Sequence, residues 1–285
     1  MQRQLKAIAP LGPEPNPPPL PRAQHAVTVQ ASSPIEAGAY VKIALISDIH
    51  GNLAALKAVL ADAAQFKVDR VACLGDCATL GPKPCEVLAV LREVASPLIL
   101  GNHDEFLLDP SLLQTYTHAP VIVASVAWCR RQLHDTDLTW LASMVRQETI
   151  SLGDQGNLLL FHGSPTSPMQ DILASHTDAE VDALIGEADA TLMACGHTHL
   201  QMVRQHRGRL IVNPGSVGMP FVAYVQGREP ELMAHAEYGI VQADSGGVSV
   251  TLRRVPVDPR LALADLMDSD LPLAPTLRHH YSSLL

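Results

Sequence analysis

Residues 42–52, KIALISDIHGN, decide how the rest of the chain is read. β-Branched and apolar residues run up to Asp48-Ile49-His50, and Gly51-Asn52 come next. The run has the make-up of a buried strand, and LAALKAVLADAAQF (53–66) has the apolar spacing of a helix. Asp48 and His50 are two residues apart, so the alternation of a strand aims both side chains the same way. A carboxylate and an imidazole converging at the end of a buried strand are ligand types for a divalent metal. A strand-end Asp also commonly caps the next helix. This stretch alone leaves both readings open, and the downstream motifs decide between them.

Outward from Lys42, strand and helix patterns alternate. Strands are expected at 42–47, 69–74, 97–100, 157–161, 190–194 and 209–212, then consecutively at 237–243 and 248–257. Helices are expected at 53–66, 84–94, 119–132, 137–145, 178–187 and 259–268. The alternation implies a layered α/β fold. The closing pair of strands points to a mixed sheet or a second sheet instead of a purely parallel one. Before Lys42 the chain changes character: half of APLGPEPNPPPLPR (9–22) is proline, which favours extended, solvated backbone. Residues 1–40 read as a disordered extension, or a start codon placed too early, in preference to a ligand for a proline-recognising partner. Residues 41–285 then form one domain.

Composition is 47% hydrophobic and 17% charged, as in folded soluble proteins. The formal net charge of −9 argues against sequence-independent binding to duplex nucleic acid, which leans on Lys and Arg. It does not oppose a small phosphorylated substrate, because a metal supplies local positive charge. The five cysteines include no C-x-x-C pair and fit reduced, buried thiols, hence a cytoplasmic protein. No apolar run reaches the roughly 18 residues of a membrane span, and no secretory signal is evident.

The chemistry lies in short polar motifs at the strand ends. After VACL comes Gly75-Asp76-Cys77, after LIL Gly101-Asn102-His103-Asp104, after LLLF His162-Gly163-Ser164-Pro165, and after TLMAC Gly196-His197-Thr198-His199. Strand carboxyl ends in open α/β sheets face one crevice, where ligands bind. A hydrophobic core has no use for Asp, Asn and His delivered to one edge by several elements, since each buried polar group must find a partner.

These five ordered motifs (D-x-H, G-D, G-N-H-D, H-G and G-H-x-H) resemble those of the calcineurin-like metallophosphoesterases, above all a small prokaryotic branch of phosphodiesterases and phosphatases. HGSP (162–165), NPGSVGMP (213–220) and the C-terminal V-P-x-D segment add to the likeness, which spans about residues 42–280. The resemblance implies a four-layer α/β/β/α sandwich of two mixed sheets over 41–285. It implies that Asp48, His50 and His199 hold one metal, that Asn102, His162 and His197 hold a second, and that Asp76 bridges them. A donor set of nitrogen and oxygen without thiolate suits two divalent ions such as Mn, Fe or Zn, with Mn favoured. The implied activity is phosphoester hydrolysis, foremost of phosphodiesters, by a metal-bridging hydroxide.

In the family, the histidine matching His103 faces the substrate, suiting a group that titrates near neutrality. Asp104 either orients His103 or braces the loop. Asn52 either touches the substrate phosphate or caps a helix. Cys77 reads as a small buried hydrophobe in preference to a reactive thiol. Met219, Phe221 and Tyr224 fit either the substrate cleft or a subunit contact in a homo-oligomer. The alternative activity is that of a phosphomonoesterase on phosphoproteins or nucleotides, and the missing G-D-x-x-D-R-G of phosphoprotein phosphatases argues against the phosphoprotein version. A non-catalytic scaffold, like the retromer subunit that resembles these enzymes, is expected to have lost ligands, whereas every ligand position here is filled.

Overall fold

The structure is a computed structural model that describes residues 40–224 and 227–285. Apart from Tyr40, the extension expected at 1–40 lies outside the described residues. The elements in order are β1 (Val41–Ile46), α1 (Leu53–Gln65), β2 (Arg70–Cys73), α2 (Pro84–Val94), β3 (Ala95–Leu98), α3 (Asn102–Leu108) and α4 (Leu113–Tyr116). Next come α5 (Pro120–Gln132), α6 (Asp135–Leu141), β4 (Gln147–Ser151), β5 (Asn157–Phe161), α7 (Asp178–Ile185) and β6 (Leu192–Ala194). The chain closes with β7 (Gln201–His206), β8 (Arg209–Pro214), β9 (His235–Asp244), β10 (Gly247–Pro256), α8 (Pro259–Met267) and α9 (Ala274–Ser282).

Two five-stranded sheets result, ordered β10-β9-β1-β2-β3 and β4-β5-β6-β8-β7. Both are mixed. β1, β2 and β3 run parallel, with β9 antiparallel to β1 and β10. β5, β6 and β8 run parallel between the antiparallel edges β4 and β7. Strand alternation explains the layering. Ile43 and Leu45 of β1 face the second sheet and meet Leu158, Leu160 and Val212 in a shared core. Ala44 and Ile46 point the other way, into a core with Leu56, Val59, Leu88 and Leu91 of α1 and α2. On the far face of the second sheet, Val181 and Ile185 of α7 cover Phe161, Met193 and Ile211. This is the four-layer α/β/β/α sandwich expected from the sequence.

Local signals set the helix ends. Asn52 caps α1 by accepting from the Ala55 N–H at 3.1 Å. α2 starts on Pro84, whose missing N–H would have had no helical partner. Thr177 and Glu180 close a reciprocal capping box on α7. The consequence for function is positional. The carboxyl ends of the parallel strands β1, β2, β3, β5 and β6 lead into the segments that hold the motif residues, and these segments meet at one edge.

Candidate metal centre

The motif side chains converge, but not by strand alternation. β1 ends at Ile46, so Asp48 and His50 lie beyond it in left-handed turns, with φ of 54° and 48°. Asp76 (57°), His197 (69°) and His199 (57°) share that conformation. It is one that L-residues other than Asn and Asp seldom adopt, at a cost of about 1–3 kcal/mol each. Five of the eight such non-glycine residues among those described are motif residues, so backbone strain is concentrated at this edge. The loops hold the turns through backbone hydrogen bonds between motifs: Asp48 N–H donates to Gly75 O, His50 N–H to Asp76 O and Gly196 N–H to His162 O. Asp48 and His50 therefore meet as expected, but these turns bring them together where the pleat of a strand was expected to.

Two groups of ligand-type atoms result, Asp48 with His50 and His199, and Asp76 with His162 and His197. Asp48 Oδ1 lies 3.3 Å from His199 Nε2, and the Nε2 atoms of His50 and His199 are 3.1 Å apart. Asp76 Oδ2 stands 3.3 Å from His162 Nε2 and 3.8 Å from His50 Nε2, between the groups. Asn102 Oδ1 lies 2.9 Å from His162 Nε2, which adds it to the second group. Behind the imidazoles, His50 Nδ1 meets Thr79 Oγ1 at 3.1 Å, His162 Nδ1 meets Leu74 O at 2.7 Å, and His199 Nδ1 meets Met219 O at 2.6 Å. Such partners fix ring angle and tautomer and turn Nε2 inward.

The charges are mutually dependent. Burial opposes ionisation of Asp48, yet His199 and then His162 hold its carboxyl down at about 2. Burial likewise opposes the Asp76 charge, and His162 and His103 keep that carboxyl well below the usual range. Burial lowers His162, but Asp76 and Asp48 overcome it and hold the imidazole at about 10. His50 is pushed well below its ordinary value by burial and by His199. Within the protein alone, the His162 imidazolium thus offsets part of the negative charge of the two buried carboxylates. Asp48 Oδ1 and Asn102 Nδ2 nevertheless have no hydrogen-bond partner. A buried Asp48 oxygen with no hydrogen-bond partner, set among carboxylate, amide-oxygen and imidazole atoms without thiolate, fits divalent cations.

The neighbouring residues divide into braces, caps and ring contacts. Asp104 does not touch His103. Its oxygens accept from the backbone N–H groups of Asp76 (2.8 Å), Cys77 (2.9 Å) and Gly101 (3.1 Å), so it braces two motif loops against each other. Burial and then the Asp76 charge push it up to about 7. The His103 ring is buried edge-on to His50, Phe106 and Tyr116, and its Nδ1 has no partner. Burial, helped by His199, His197 and His162, outweighs Asp76 and lowers His103 to about 4, so it does not titrate near neutrality as expected. Asn52 is the helix cap, and its amide nitrogen donates to Gly218 O and the Tyr281 hydroxyl. Cys77 is buried with its Sγ 3.7 Å from Cys73 Sγ.

Several contributors lie outside the five ligand motifs, Asn213 and Ser216 among them in the NPGSVGMP segment. Thr79 supports His50, and Asn213 holds the 196–198 turn through Gly196 O (2.6 Å) and Thr198 Oγ1 (3.0 Å). Ser216 donates to Asp48 O at 2.7 Å, so the NPGS turn closes the edge of the site. Phe221 stacks on His199 with ring centroids 4.2 Å apart. Tyr224 lies at the same edge, and its hydroxyl donates to Asp171 at 2.6 Å.

Fold and site together define a metallophosphoesterase architecture. The chain belongs to the calcineurin-like phosphoesterase superfamily, whose domain model matches residues 41–237. An uncharacterized protein of Methanocaldococcus jannaschii is 30% identical over 196 residues, covering 62% of this chain and 76% of its own. The crystal structure of a metallophosphoesterase from Sphaerobacter thermophilus matches with a TM-score of 0.68 at 26% identity, covering 87% of this chain and 100% of that one. A hypothetical protein from Pyrococcus horikoshii shares the fold, with a TM-score of 0.68 at 19% identity over 84% of this chain and 96% of its own. Among the described residues no helix is long and apolar enough to cross a membrane.

Proposed function

We propose that this chain is a dinuclear metal-dependent phosphodiesterase. Asp48, His50 and His199 hold one ion, Asn102, His162 and His197 the other, and Asp76 serves both. The observation that carries the reading is the Asp76 carboxylate, with one oxygen within 3.8 Å of a histidine from each group. The nitrogen and oxygen donors suit Mn²⁺, Fe²⁺ or Zn²⁺, and Mn²⁺ is favoured. When bound, such a pair supplies a nucleophile from water near neutral pH and positive charge that clamps the phosphate oxygens.

The chain's own residues supply the rest. His103 N–H donates to Asp76 Oδ1 at 2.8 Å, which ties the His103 backbone to the shared carboxylate. Its imidazole is neutral at pH 7, and a neutral ring offers one N–H as a hydrogen-bond donor to the departing ester oxygen. Among the described residues, the ligand side chains pair with one another and with Asp171, and with no Lys or Arg. The preference for diesters over monoesters rests on the likeness of the motifs to the prokaryotic branch named above. The test is hydrolysis of an aryl phosphodiester and its matched monoester by chelator-stripped protein given Mn²⁺, Fe²⁺, Zn²⁺ or Mg²⁺ separately, with His103→Ala as control. Metal-dependent turnover faster on the diester is expected. Preference for the monoester would overturn the diesterase assignment, and full activity of His103→Ala would overturn the role of His103.

A further inference from the structure

We infer that Asp171, held by the Tyr224 hydroxyl, is a positioning residue that commits His197 to the second ion through Nδ1. The inference rests on the proposed reading of Asp76, His162 and His197 as ligands of that ion. Its basis is a difference among four imidazoles. His50, His162 and His199 each turn Nδ1 to an oxygen of the protein and Nε2 into the cluster. His197 is reversed: its Nε2 lies 3.5 Å from Asp171 Oδ1. Asp171 belongs to the segment between β5 and α7, and its other oxygen accepts from the Tyr224 hydroxyl at 2.6 Å. One carboxylate oxygen is thus tied down while the other addresses the ring.

A carboxylate behind a ligating imidazole fixes which nitrogen carries the proton, sets the ring angle and raises the basicity of the other nitrogen. With the Nε2 proton directed at Asp171, Nδ1 is the nitrogen left to join Asp76 and His162. The separation is that of an ion pair, longer than a strong hydrogen bond, and Asp171 is 29% exposed. Water therefore competes for the contact, and the Tyr224 hydrogen bond is what keeps the carboxylate facing His197.

The test titrates chelator-stripped full-length protein with Mn²⁺, following heat and the free-ion electron paramagnetic resonance signal. Wild type is expected to take up two ions. Asp171→Asn should bind the second ion about 10–100-fold more weakly with the first unchanged, and Tyr224→Phe should show a smaller loss of the same kind. In a His197→Ala background, Asp171→Asn should cost nothing further, because a positioning effect needs its target. Unchanged second-ion affinity in Asp171→Asn would overturn the inference. So would a further loss in the His197→Ala background, which would make Asp171 a ligand in its own right. Uptake of fewer than two ions by wild type would bring down the dinuclear reading first, and this inference with it.

Discussion

The Nε2 atoms of His50 and His199 face each other at 3.1 Å across the first ligand group, so one of the two must donate and the other accept. The surroundings decide which. Burial lowers both rings, but Asp48 raises His199 above its ordinary value, whereas His50 falls well below. Without an ion, Asp48 thus favours a proton on His199 over one on His50, while His162 carries its proton at pH 7.

Cations compete with those protons. His162 has a folded pKa of about 10, so it is protonated at pH 7 and must lose its proton to become a ligand. Mn²⁺ uptake at pH 7 should release at least about one proton, and affinity should rise about tenfold per pH unit between pH 7 and 9. For the metal-free protein the sign is the reverse. A raised imidazole pKa stabilises the fold fully below 6.5, and that stability is lost as pH rises toward 10. Calorimetry in two buffers of different ionisation enthalpy measures the release. Identical heats and a pH-independent affinity would refute this account.

Gly101 sits where a side chain would collide with the shared carboxylate. A Cβ there would lie 2.5 Å from the Asp76 backbone nitrogen and 3.0 Å from Asp76 Cγ. If Asp76 serves both groups as proposed, Gly101→Ala should lose ions from both sites together and lower turnover at least about tenfold, with the fold retained. Metal content after dialysis and the far-ultraviolet spectrum separate these outcomes. Retention of one ion at wild-type affinity would mean that Asp76 is not shared.

The residues of the candidate centre were legible because each carries its own short polar motif after an apolar run. Their geometry was not, since left-handed turns at Asp48, His50 and Asp76 depend on hydrogen bonds between loops distant in sequence. Five elements also escaped the pattern, the single-turn α4 among them. β4 buries only Ile150, and β7 buries only Met202 and His206, so these sheet edges lack an apolar alternation. α3 opens on Asn102 and His103, whose side chains belong to the site, and α9 begins Ala-Pro and carries the His279-His280 pair. Tyr224 was expected at the cleft or at a subunit contact, whereas Asp171 lies in an irregular segment with no periodicity to betray it.

Asp62 of α1 ties that helix to the first sheet and is remote from the chemistry. Tyr238 donates its hydroxyl to Asp62 at 2.7 Å, and Arg253 binds both carboxylate oxygens at 2.6 and 3.0 Å while lying over the Phe66 ring. Arg253, opposed by burial and aided by Tyr238, holds the Asp62 pKa below 3.8. Asp62→Asn should cost about 1–3 kcal/mol at pH 7 and leave metal binding unchanged. A lowered carboxyl pKa gives stability that is present above 3.8 and lost as pH falls through the folded value, so the gap to wild type should narrow as pH falls below 3.8. Denaturant melts at pH 7 and pH 3 would show it, and a gap equal at both would point to lost packing instead.

Asp104 is where fold stability and site geometry coincide. Its Oδ2 accepts from Asp76 and Gly101 and its Oδ1 from Cys77, so three N–H groups point at one buried side chain. Asparagine fills the same volume, but its NH₂ replaces one of the two acceptors and confronts at least one backbone donor. Leaving a buried N–H unsatisfied costs about 1–3 kcal/mol. The loops that loosen are those carrying Asp76 and Asn102, so Asp104→Asn should both lower the midpoint of denaturant unfolding and weaken uptake of the second ion. His103→Ala, by contrast, should leave ion uptake intact and lower turnover alone. Finding full ion affinity in Asp104→Asn, or lost affinity in His103→Ala, would exchange the roles assigned to the two neighbours.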